Sequence, residues 1–298
     1  DEAHRTTGST HDSEDDSNFV KIHDASFILG KKRLYMTATP RIFSDEVKQN
    51  ADEYKLYSFD NAKIFGENLY TINFSTAVKL GLLVDYKVIV LTVDSDTIID
   101  KLGRFLSETD EIVVDDAARI VGCWKALSKQ GIHADVDEDT APMQRALAFC
   151  QVIEKTEKAR SHQISSTHIA GIFEKVVEAY QTAEQNDGNE ISHHLICEAK
   201  HVDGGMGAGL KEEKLNWLKA TPEPVLDENG EARPVCRILS NVRCLSEGVD
   251  VPSLDSVLFL TPRSSQVDVV QSVGRVMRLA PNKKRGYVIL PVVIPPGM

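Results

Sequence analysis

Apolar and polar positions along this chain follow two periods, one typical of strands and one typical of helices. Short apolar runs have the length of strands that are covered on both faces of a parallel sheet. They are Val88–Val93, Ala146–Cys150, His194–Cys197, Cys236–Leu239, Val257–Leu260 and Tyr287–Val293. Segments with helical spacing lie between them and predict helices at about Asp115–Gln130, Glu154–Arg160, Ile164–Gln185, Lys211–Lys219 and Gln266–Leu279. Strands that alternate with helices predict an α/β fold with a mostly parallel sheet.

The first part of the chain lacks this regular alternation. The segment Gly8–Asn18 is rich in Ser, Asp and Glu and predicts an acidic loop. The apolar run Arg33–Met36 predicts a buried strand. We place a domain boundary near Val84, because the alternation begins directly after it. Residues 1–83 would then be the C-terminal part of a first domain and residues 84–298 a complete second one, in keeping with about 150 residues for each domain.

The composition indicates a folded protein of a reducing compartment. Hydrophobic residues make up 42% of the chain, which is enough for real cores. The five cysteines include no C-x-x-C pair, so we expect reduced residues in or near the core and not disulfides or a zinc site. The sequence shows neither a signal peptide nor an apolar run long enough to span a bilayer. We therefore expect a cytoplasmic protein with no membrane partner.

The distribution of charge limits how the protein could bind nucleic acid. The formal net charge of −11 argues against a broad basic surface. Residues 240–298, however, carry seven Lys and Arg against four acids. This difference predicts a narrow basic track in the C-terminal part of the chain.

The predicted helix at Gln266–Leu279 has an unusual polar face. Gln271, Arg275 and Arg278 fall at positions i, i+4 and i+7, which lie on one face of a helix. The opposite, core-facing stripe is apolar and consists of Val269, Val270, Val273, Val276 and Met277. A helix that only met water would carry Lys or Glu at these polar positions. Two arginines beside a glutamine predict a site for an anion.

Polar residues follow the predicted strand that ends at Leu239. Ser240 and Asn241 offer hydrogen-bond donors suited to a nucleic-acid phosphate. Gly248 permits a close approach of the backbone to a ligand, and Asp250 can accept a hydrogen bond from a ribose hydroxyl. An ordinary loop between a strand and a helix is the alternative interpretation of this segment.

Two further motifs lie near the start of the chain. Asp1-Glu2-Ala3-His4 contains an acidic pair, and carboxylates can hold a divalent cation and take a proton from water. Thr37-Ala38-Thr39-Pro40 follows the predicted strand. The alternatives are an acidic, frayed terminus for the first motif and a strand-end turn capped by hydroxyls for the second.

The order of these motifs resembles that of the superfamily 2 DEAH-box helicases and translocases. DEAH at 1–4, TATP at 37–40, SNVRCLSEGVDVP at 240–252 and QSVGRVMR at 271–278 follow one another as in that superfamily. The sequences at Tyr70–Val93 and AKHVDGGM at 199–206 are similar to the ATPase region of Type ISP restriction–modification enzymes and of the predicted helicases related to them. Type ISP enzymes are single-chain and Type I-like.

The resemblance implies two RecA-like domains, one partial and one complete here, that bind ATP and Mg²⁺. Asp1 would hold the metal through water, and Glu2 would polarise the water that attacks the triphosphate. The nucleotide would be bound by Gly248, Asp250, Gln271, Arg275 and Arg278, with the two arginines also acting in catalysis. His4, Thr37 and Thr39 would couple the nucleotide to movement. Ser240 and Asn241 would contact the nucleic acid.

The chain contains no phosphate-binding loop of the form G-x-x-x-x-G-K-[ST]. We therefore expect it to be a fragment without ATPase activity of its own. The parent would be an ATP-dependent translocase on duplex DNA in a bacterial restriction–modification enzyme, with the P-loop half, a nuclease and a methyltransferase elsewhere in the polypeptide. A strand-separating DNA or RNA helicase of repair or RNA metabolism, a chromatin-type or phage-encoded remodeller, and an inactive nucleic-acid or partner-binding module remain alternatives.

Overall fold

The computed structural model divides the chain into two compact units, Asp1–Asn73 and Phe74–Met298. The sequence predicts a boundary ten residues later, near Val84. Residues Phe74, Val78 and Leu83 pack against an apolar layer of the second unit, so this segment is attached to that unit. The structure describes residues 2–10, 19–50, 55–109, 112–130, 140–154, 164–242, 250–263 and 265–297.

The described part of the first unit consists of short elements. Strand β1 (Gly8–Thr10) pairs antiparallel with β2 (Lys55–Tyr57). The helical elements are two 3-10 turns at Ala3–Thr6 and Val20–His23, helix α1 at Asp45–Gln49 and helix α2 at Ala62–Phe65.

His23 organises the interior of the first unit. Its ring stacks on Tyr57 with 4.6 Å between centroids and meets the edge of Phe65 at 5.0 Å. The Tyr35 hydroxyl donates to Nδ1 at 3.1 Å, and Nε2 donates to the carbonyl of Thr6 at 2.9 Å. Both ring nitrogens are thus satisfied by one neutral tautomer. Burial raises the pKa of Tyr35, which keeps its hydroxyl available as a donor.

The predicted buried strand at Arg33–Met36 is wrong. Leu34 is 67% exposed and Met36 is 51% exposed, and these residues form no strand. The Met36 carbonyl accepts one backbone hydrogen bond, from Ala3 at 2.9 Å. An apolar run becomes a strand only where a neighbouring strand takes its successive backbone groups, and one such bond does not form a ladder.

The second unit contains a six-stranded sheet and the helices that cover it. Its helices are α3 (Phe74–Lys79), α4 (Ser95–Glu108), α5 (Val114–Leu127), α6 (Ser166–Asn186), α7 (Ala208–Lys219) and α8 (Gln266–Val276). Its strands are β3 (Asp85–Asp94), β4 (Arg145–Phe149), β5 (Ile196–His201), β6 (Val225–Leu226), β7 (Ala232–Arg233), β8 (Val235–Asn241), β9 (Ser256–Phe259) and β10 (Arg285–Ile294). Strands β6 and β7 form a separate antiparallel hairpin.

The sheet has the order β3-β10-β9-β4-β8-β5, and each of its pairings is parallel. The predicted α/β class is therefore confirmed. One predicted strand is displaced, because β5 begins at Ile196 and leaves His194 in the preceding loop. Helix α4 is an element that the apolar pattern did not predict. Most of the helix predicted at Glu154–Arg160 lies outside the described residues.

Two apolar layers lie on opposite faces of this sheet. Consecutive residues of a strand point to opposite faces, and in β8 Ile238 enters one layer while Leu239 enters the other. Helices α4, α5 and α6 cover the first layer with residues such as Ile98, Trp124 and Phe173. The second layer is covered by α3, α7 and α8. Strand β4 is buried at every position because it lies in the middle of the sheet.

A close approach between α8 and β10 requires a glycine. A Cβ atom on Gly286 would lie 2.3 Å from the carbonyl oxygen of Val276, at the end of α8. That distance is far below van der Waals contact, so a larger residue would force the helix and the strand apart. This contact sets the position at which the chain leaves α8.

The described cysteines are free and buried: Cys123, Cys150, Cys197 and Cys236. Burial raises the pKa of each thiol, and for Cys150 to about 12. The prediction of reduced core cysteines is confirmed for these four, while Cys244 lies outside the described residues. In the described part of the chain, no helix combines the length and the apolar character needed to cross a bilayer.

Candidate nucleotide and nucleic-acid site

Helix α8 begins with a side-chain cap and ends earlier than its sequence pattern predicts. The Ser265 hydroxyl accepts a hydrogen bond from the backbone N–H of Asp268 at 3.2 Å. The helix ends at Val276, with Met277 as its C-cap. The predicted extension to Leu279 is wrong, and Arg278 therefore lies beyond the helix and not on its polar face. The carbonyl of Met277 accepts instead from the backbone N–H of Val84 at 2.8 Å, which helps to turn the chain there.

The polar face of α8 is more buried than predicted. Arg275 is 7% exposed and Ser272 is 1% exposed. The apolar stripe is confirmed at Val273, Val276 and Met277, all of which are buried. The amphipathic pattern places Arg275 opposite the core-facing stripe, but the helix is covered on more than one face. Burying a guanidinium costs free energy unless an anion or hydrogen-bond acceptors lie nearby. Burial also restricts the positions that the Arg275 side chain can adopt.

Gln271 lies one helical turn before Arg275. Its Oε1 atom is buried and has no hydrogen-bond partner within the described residues. A buried acceptor without a donor is unfavourable. This position therefore suits a donor that a ligand or a rearranged neighbour would supply.

Arg278 and Asp250 form an ion pair. Their side-chain atoms Nη1 and Oδ1 are 2.5 Å apart, and the side chains are 40% and 74% exposed. The sequence assigns both residues to one nucleotide, and the structure places them in contact. Gly248, the third residue of this set, lies outside the described residues.

A second contact joins the same two segments. Lys283 donates from Nζ to the carbonyl of Pro252 at 3.1 Å. Burial lowers the pKa of Lys283 to about 8; the negative Asp255 raises it and the positive Arg278 lowers it further. Burial in turn raises the pKa of Asp255, although the backbone N–H groups of Gln144 and Arg145 donate to it. Sequence patterns gave no signal for the partial burial of Lys283 and Asp255, because the Lys-Lys-Arg run at 283–285 resembles a solvated turn.

Ser240 and Asn241 do not face solvent. Both are 0% exposed, because β8 continues two residues beyond the predicted end at Leu239. The Ser240 hydroxyl donates to the carbonyl of Ser166 at 2.8 Å, and Nδ2 of Asn241 donates to the carbonyl of Ala148 at 3.2 Å. The predicted direct contact of these side chains with a phosphate is therefore wrong for this conformation. Their donors are used inside the sheet.

The first unit brings the acidic box and the threonine motif together at His4. Its Nδ1 atom lies 3.0 Å from Oγ1 of Thr37, 3.2 Å from Oε2 of Glu2 and 3.4 Å from Oγ1 of Thr39. The backbone N–H of Thr39 also donates to the Thr37 hydroxyl at 3.1 Å. The threonine hydroxyls thus meet the histidine of the box.

The acidic pair itself is described in part. Asp1 lies outside the described residues. Glu2 has a φ of 55°, in the left-handed region that residues with a Cβ seldom adopt, and its side chain is 47% exposed. Among the described residues, no cluster of three or more His, Cys, Asp or Glu could hold a metal ion.

Comparison with known families finds a match to part of the second unit. Residues 173–280, which include β5, β8, β9 and α8, match the helicase conserved C-terminal domain. Two viral proteins match short parts of the chain. A protein named helicase 22 of Sulfolobus islandicus filamentous virus is 38% identical over 53 residues, which are 18% of this chain and 10% of that protein. A protein named as a probable helicase of African swine fever virus is 39% identical over 57 residues, 19% of this chain and 7% of that protein.

A solved structure narrows the resemblance. The ATP-dependent Type ISP restriction–modification enzyme LlaBIII, in a structure bound to DNA, is 40% identical to this chain and superposes with a TM-score of 0.75. The similarity covers 100% of this chain and 18% of that enzyme. The predicted resemblance to superfamily 2 helicases, and within them to Type ISP enzymes, is confirmed. The chain spans less than a fifth of that enzyme and a tenth or less of the two viral proteins.

Proposed function

We propose that this chain is part of an ATP-dependent motor that moves along duplex DNA, in a restriction–modification enzyme. The observation that carries the proposal is the 40% identity over the whole chain to an ATP-dependent Type ISP enzyme bound to DNA. The match of residues 173–280 to the helicase C-terminal domain supports the coarser role of a helicase or translocase.

The arginines are proposed to act on the triphosphate. Arg275 is held in a buried position, and Arg278 is exposed enough to exchange its Asp250 partner for a phosphate. Charge that develops on the transferred phosphoryl group is neutralised by such guanidinium groups, which contribute about 10³–10⁵ in rate in other phosphoryl-transfer enzymes. Asp250, once released, can accept a hydrogen bond from the ribose. Gln271 and Gly248 are proposed to complete the nucleotide contacts.

The acidic box is proposed to supply the base and the coupling. Glu2 would take the proton of the attacking water, and a bound Mg²⁺ would neutralise phosphate charge. His4 passes the state of Glu2 to Thr37 and Thr39 through the shared Nδ1 atom, whose neighbours lie within 3.0–3.4 Å.

The polypeptide of residues 1–298 alone is proposed to be inactive as an ATPase. Its sequence contains no G-x-x-x-x-G-K-[ST] segment, and the backbone N–H groups and lysine of such a loop hold the phosphates for transfer. The complete protein would supply it, together with nuclease and methyltransferase regions. A motor that acts on cellular DNA would be located in the cytoplasm.

ATP hydrolysis by the complete protein tests the proposal. The rate is measured with linear duplex DNA, with single-stranded DNA and with RNA, for the wild type and for Arg278→Ala. The matched control is Arg104→Ala, which removes an arginine that is 93% exposed and paired with Glu108 on α4. We expect duplex DNA to stimulate hydrolysis, Arg278→Ala to abolish the stimulation and Arg104→Ala to retain it.

Other outcomes select other functions. Stimulation by single strands or RNA alone would replace the proposal with a strand-separating helicase. A complete protein that no nucleic acid stimulates would leave a binding module. Clear turnover by the 298-residue polypeptide would contradict the proposed inactivity of the fragment.

A further inference from the structure

A chain of hydrogen bonds runs from the surface to the interior at one edge of the second unit. Nε2 of His201 lies 3.0 Å from Oδ2 of Asp203, and Nδ1 lies 2.7 Å from the hydroxyl of Ser166. The Ser166 hydroxyl is 3.0 Å from that of Ser240, and the Ser240 hydroxyl donates to the Ser166 carbonyl at 2.8 Å. We name these four residues the His201 network.

Most of the His201 network is buried. Ser166 and Ser240 are 0% exposed and His201 is 9% exposed. With the proton on Nε2, His201 donates to Asp203 and accepts the single hydroxyl proton of Ser166 at Nδ1, so the two serines are linked by the donation from Ser240 to the Ser166 carbonyl. The hydrogen bond from His201 lowers the pKa of Asp203, against the effect of partial burial. A buried polar network that is satisfied in this way specifies a single arrangement of the groups it joins.

The His201 network joins the ends of two neighbouring strands at the same edge of the sheet. His201 is the last residue of β5, and Ser240 lies opposite it near the end of the parallel strand β8. In open parallel sheets, ligands bind outside the carboxyl ends of the strands. The segment after β8 continues into residues 243–249, which include Gly248. The segment after β5 is the loop at residues 203–207.

Asp203 also shapes the loop that follows it. Its second oxygen, Oδ1, accepts from the backbone N–H of Gly205 at 2.6 Å and of Met206 at 3.2 Å. Gly204 and Gly205 are exposed, so the loop can meet a macromolecule in solvent. Through His201, the position of this exposed loop is linked to the buried end of β8.

We propose that His201 and Asp203 are positioning residues of the motor. They hold the exposed loop at 203–206 and the strand end at Ser240 in one register, so that nucleic acid at the loop accelerates hydrolysis. The inference rests on the proposed motor function and assigns a role to the HVDGG sequence, which the nucleotide contacts do not use.

The test uses a variant that breaks one bond of the network. In Asp203→Asn, the amide oxygen still accepts from Gly205 and Met206, but the amide nitrogen cannot accept from Nε2 of His201. The matched control is Asp227→Asn, because Asp227 caps the β6–β7 turn in the same way by accepting from Asn229 at 2.9 Å and Glu231 at 2.8 Å. Both variants are made in the complete protein.

Two measurements are compared between the variants. We expect Asp203→Asn to reduce the stimulation of ATP hydrolysis by duplex DNA about 5- to 30-fold, the usual range of coupling between sites, with the ATP KM and the unstimulated rate within about twofold. We also expect faster amide hydrogen exchange at Val202, whose N–H donates to the Ser240 carbonyl at 3.0 Å. Asp227→Asn should resemble the wild type in both measurements.

Three results would overturn the inference. Equal stimulation of the two variants, or equal loss of the stimulated and unstimulated rates in Asp203→Asn, would reduce the network to an ordinary packing feature. A wild-type protein without stimulation would remove the motor function and the inference together. The first two results leave the motor function intact, so the two failures are distinguishable.

Discussion

Arg278 and Asp250 hold each other in an ion pair of 2.5 Å although both are proposed to bind the same nucleotide. Because the pair is exposed, it contributes no more than about 1 kcal/mol to stability. Asp250→Asn should therefore leave the unfolding free energy nearly unchanged. We expect the ATP KM to rise about tenfold, since a hydrogen bond to a charged group is worth about 1.5–3 kcal/mol. Urea unfolding and steady-state kinetics of the complete protein measure the two quantities.

The same pair predicts non-additive kinetics. If Asp250 affects kcat only through its pair with Arg278, then Asp250→Asn should cost little in kcat once Arg278→Ala is present. The double variant should hydrolyse ATP at about the rate of Arg278→Ala alone. Losses that multiply across the two single variants would mean that the residues act independently.

The contacts among His4, Thr37 and Thr39 predict that a substitution here lowers the coupling of movement to ATP hydrolysis more than hydrolysis itself. Thr37→Val removes the hydroxyl that contacts His4 at 3.0 Å and accepts from Thr39 at 3.1 Å. We expect the distance moved for each ATP hydrolysed to fall about 2- to 30-fold, with hydrolysis itself less affected. The control is Thr182→Val, whose hydroxyl donates within α6 to the Glu178 carbonyl. A loss of equal size in both variants would contradict the role of His4.

Substitution of two glycines by alanine should have opposite effects on the free energy of unfolding. Gly286→Ala should lower the free energy of unfolding by about 1–3 kcal/mol, since its Cβ would meet the Val276 carbonyl. Gly103→Ala in α4 should raise it by about 0.5–1 kcal/mol, because no atom lies within 4 Å of the new methyl group and alanine favours a helix. Chemical denaturation distinguishes the two, and a stable Gly286→Ala protein would contradict the contact between α8 and β10.

The lowered pKa of Lys283 predicts that the folded protein becomes more stable at alkaline pH. Its pKa is lowered to about 8 by burial, from 10.5 in the unfolded chain. Between these two values the unfolded state holds the proton and the folded state does not, so the free energy of unfolding increases with pH. We expect the melting temperature of the wild type to rise relative to Lys283→Met between about pH 8 and pH 10. If the melting temperatures of the two proteins changed with pH in the same way, Lys283 would be solvated and not buried.

The sheet was predictable from the sequence because its inner strands β4, β8 and β9 are buried on both faces. Burial on both faces was wrong for the edge strand β3, where Val88 is 52% and Val90 58% exposed. Runs such as Val257–Leu260 and Tyr287–Val293 are apolar without interruption and coincide with β9 and β10 to within a few residues. The same criterion failed at Arg33–Met36, because an apolar run does not reveal whether a partner strand takes its backbone groups.

The sequence could name candidate site residues but not their geometry. The motif spacing singled out Arg275, Arg278 and Asp250 as candidates, but helical periodicity could not show that α8 ends at Val276 or that Arg275 is buried. Ser240 was misplaced because a serine at the end of an apolar run gives no sign of whether the strand continues. Its place in the His201 network depends on β5, which is distant in sequence.

Movement along duplex DNA is the central claim, and displacement of a triplex-forming strand tests it most directly. The complete protein is given ATP and linear duplexes that carry the triplex at increasing distances from the loading site. The account predicts a lag that grows in proportion to the distance, while the two strands of the duplex stay annealed. Separation of the duplex strands, or displacement with a lag that is independent of distance, would contradict it.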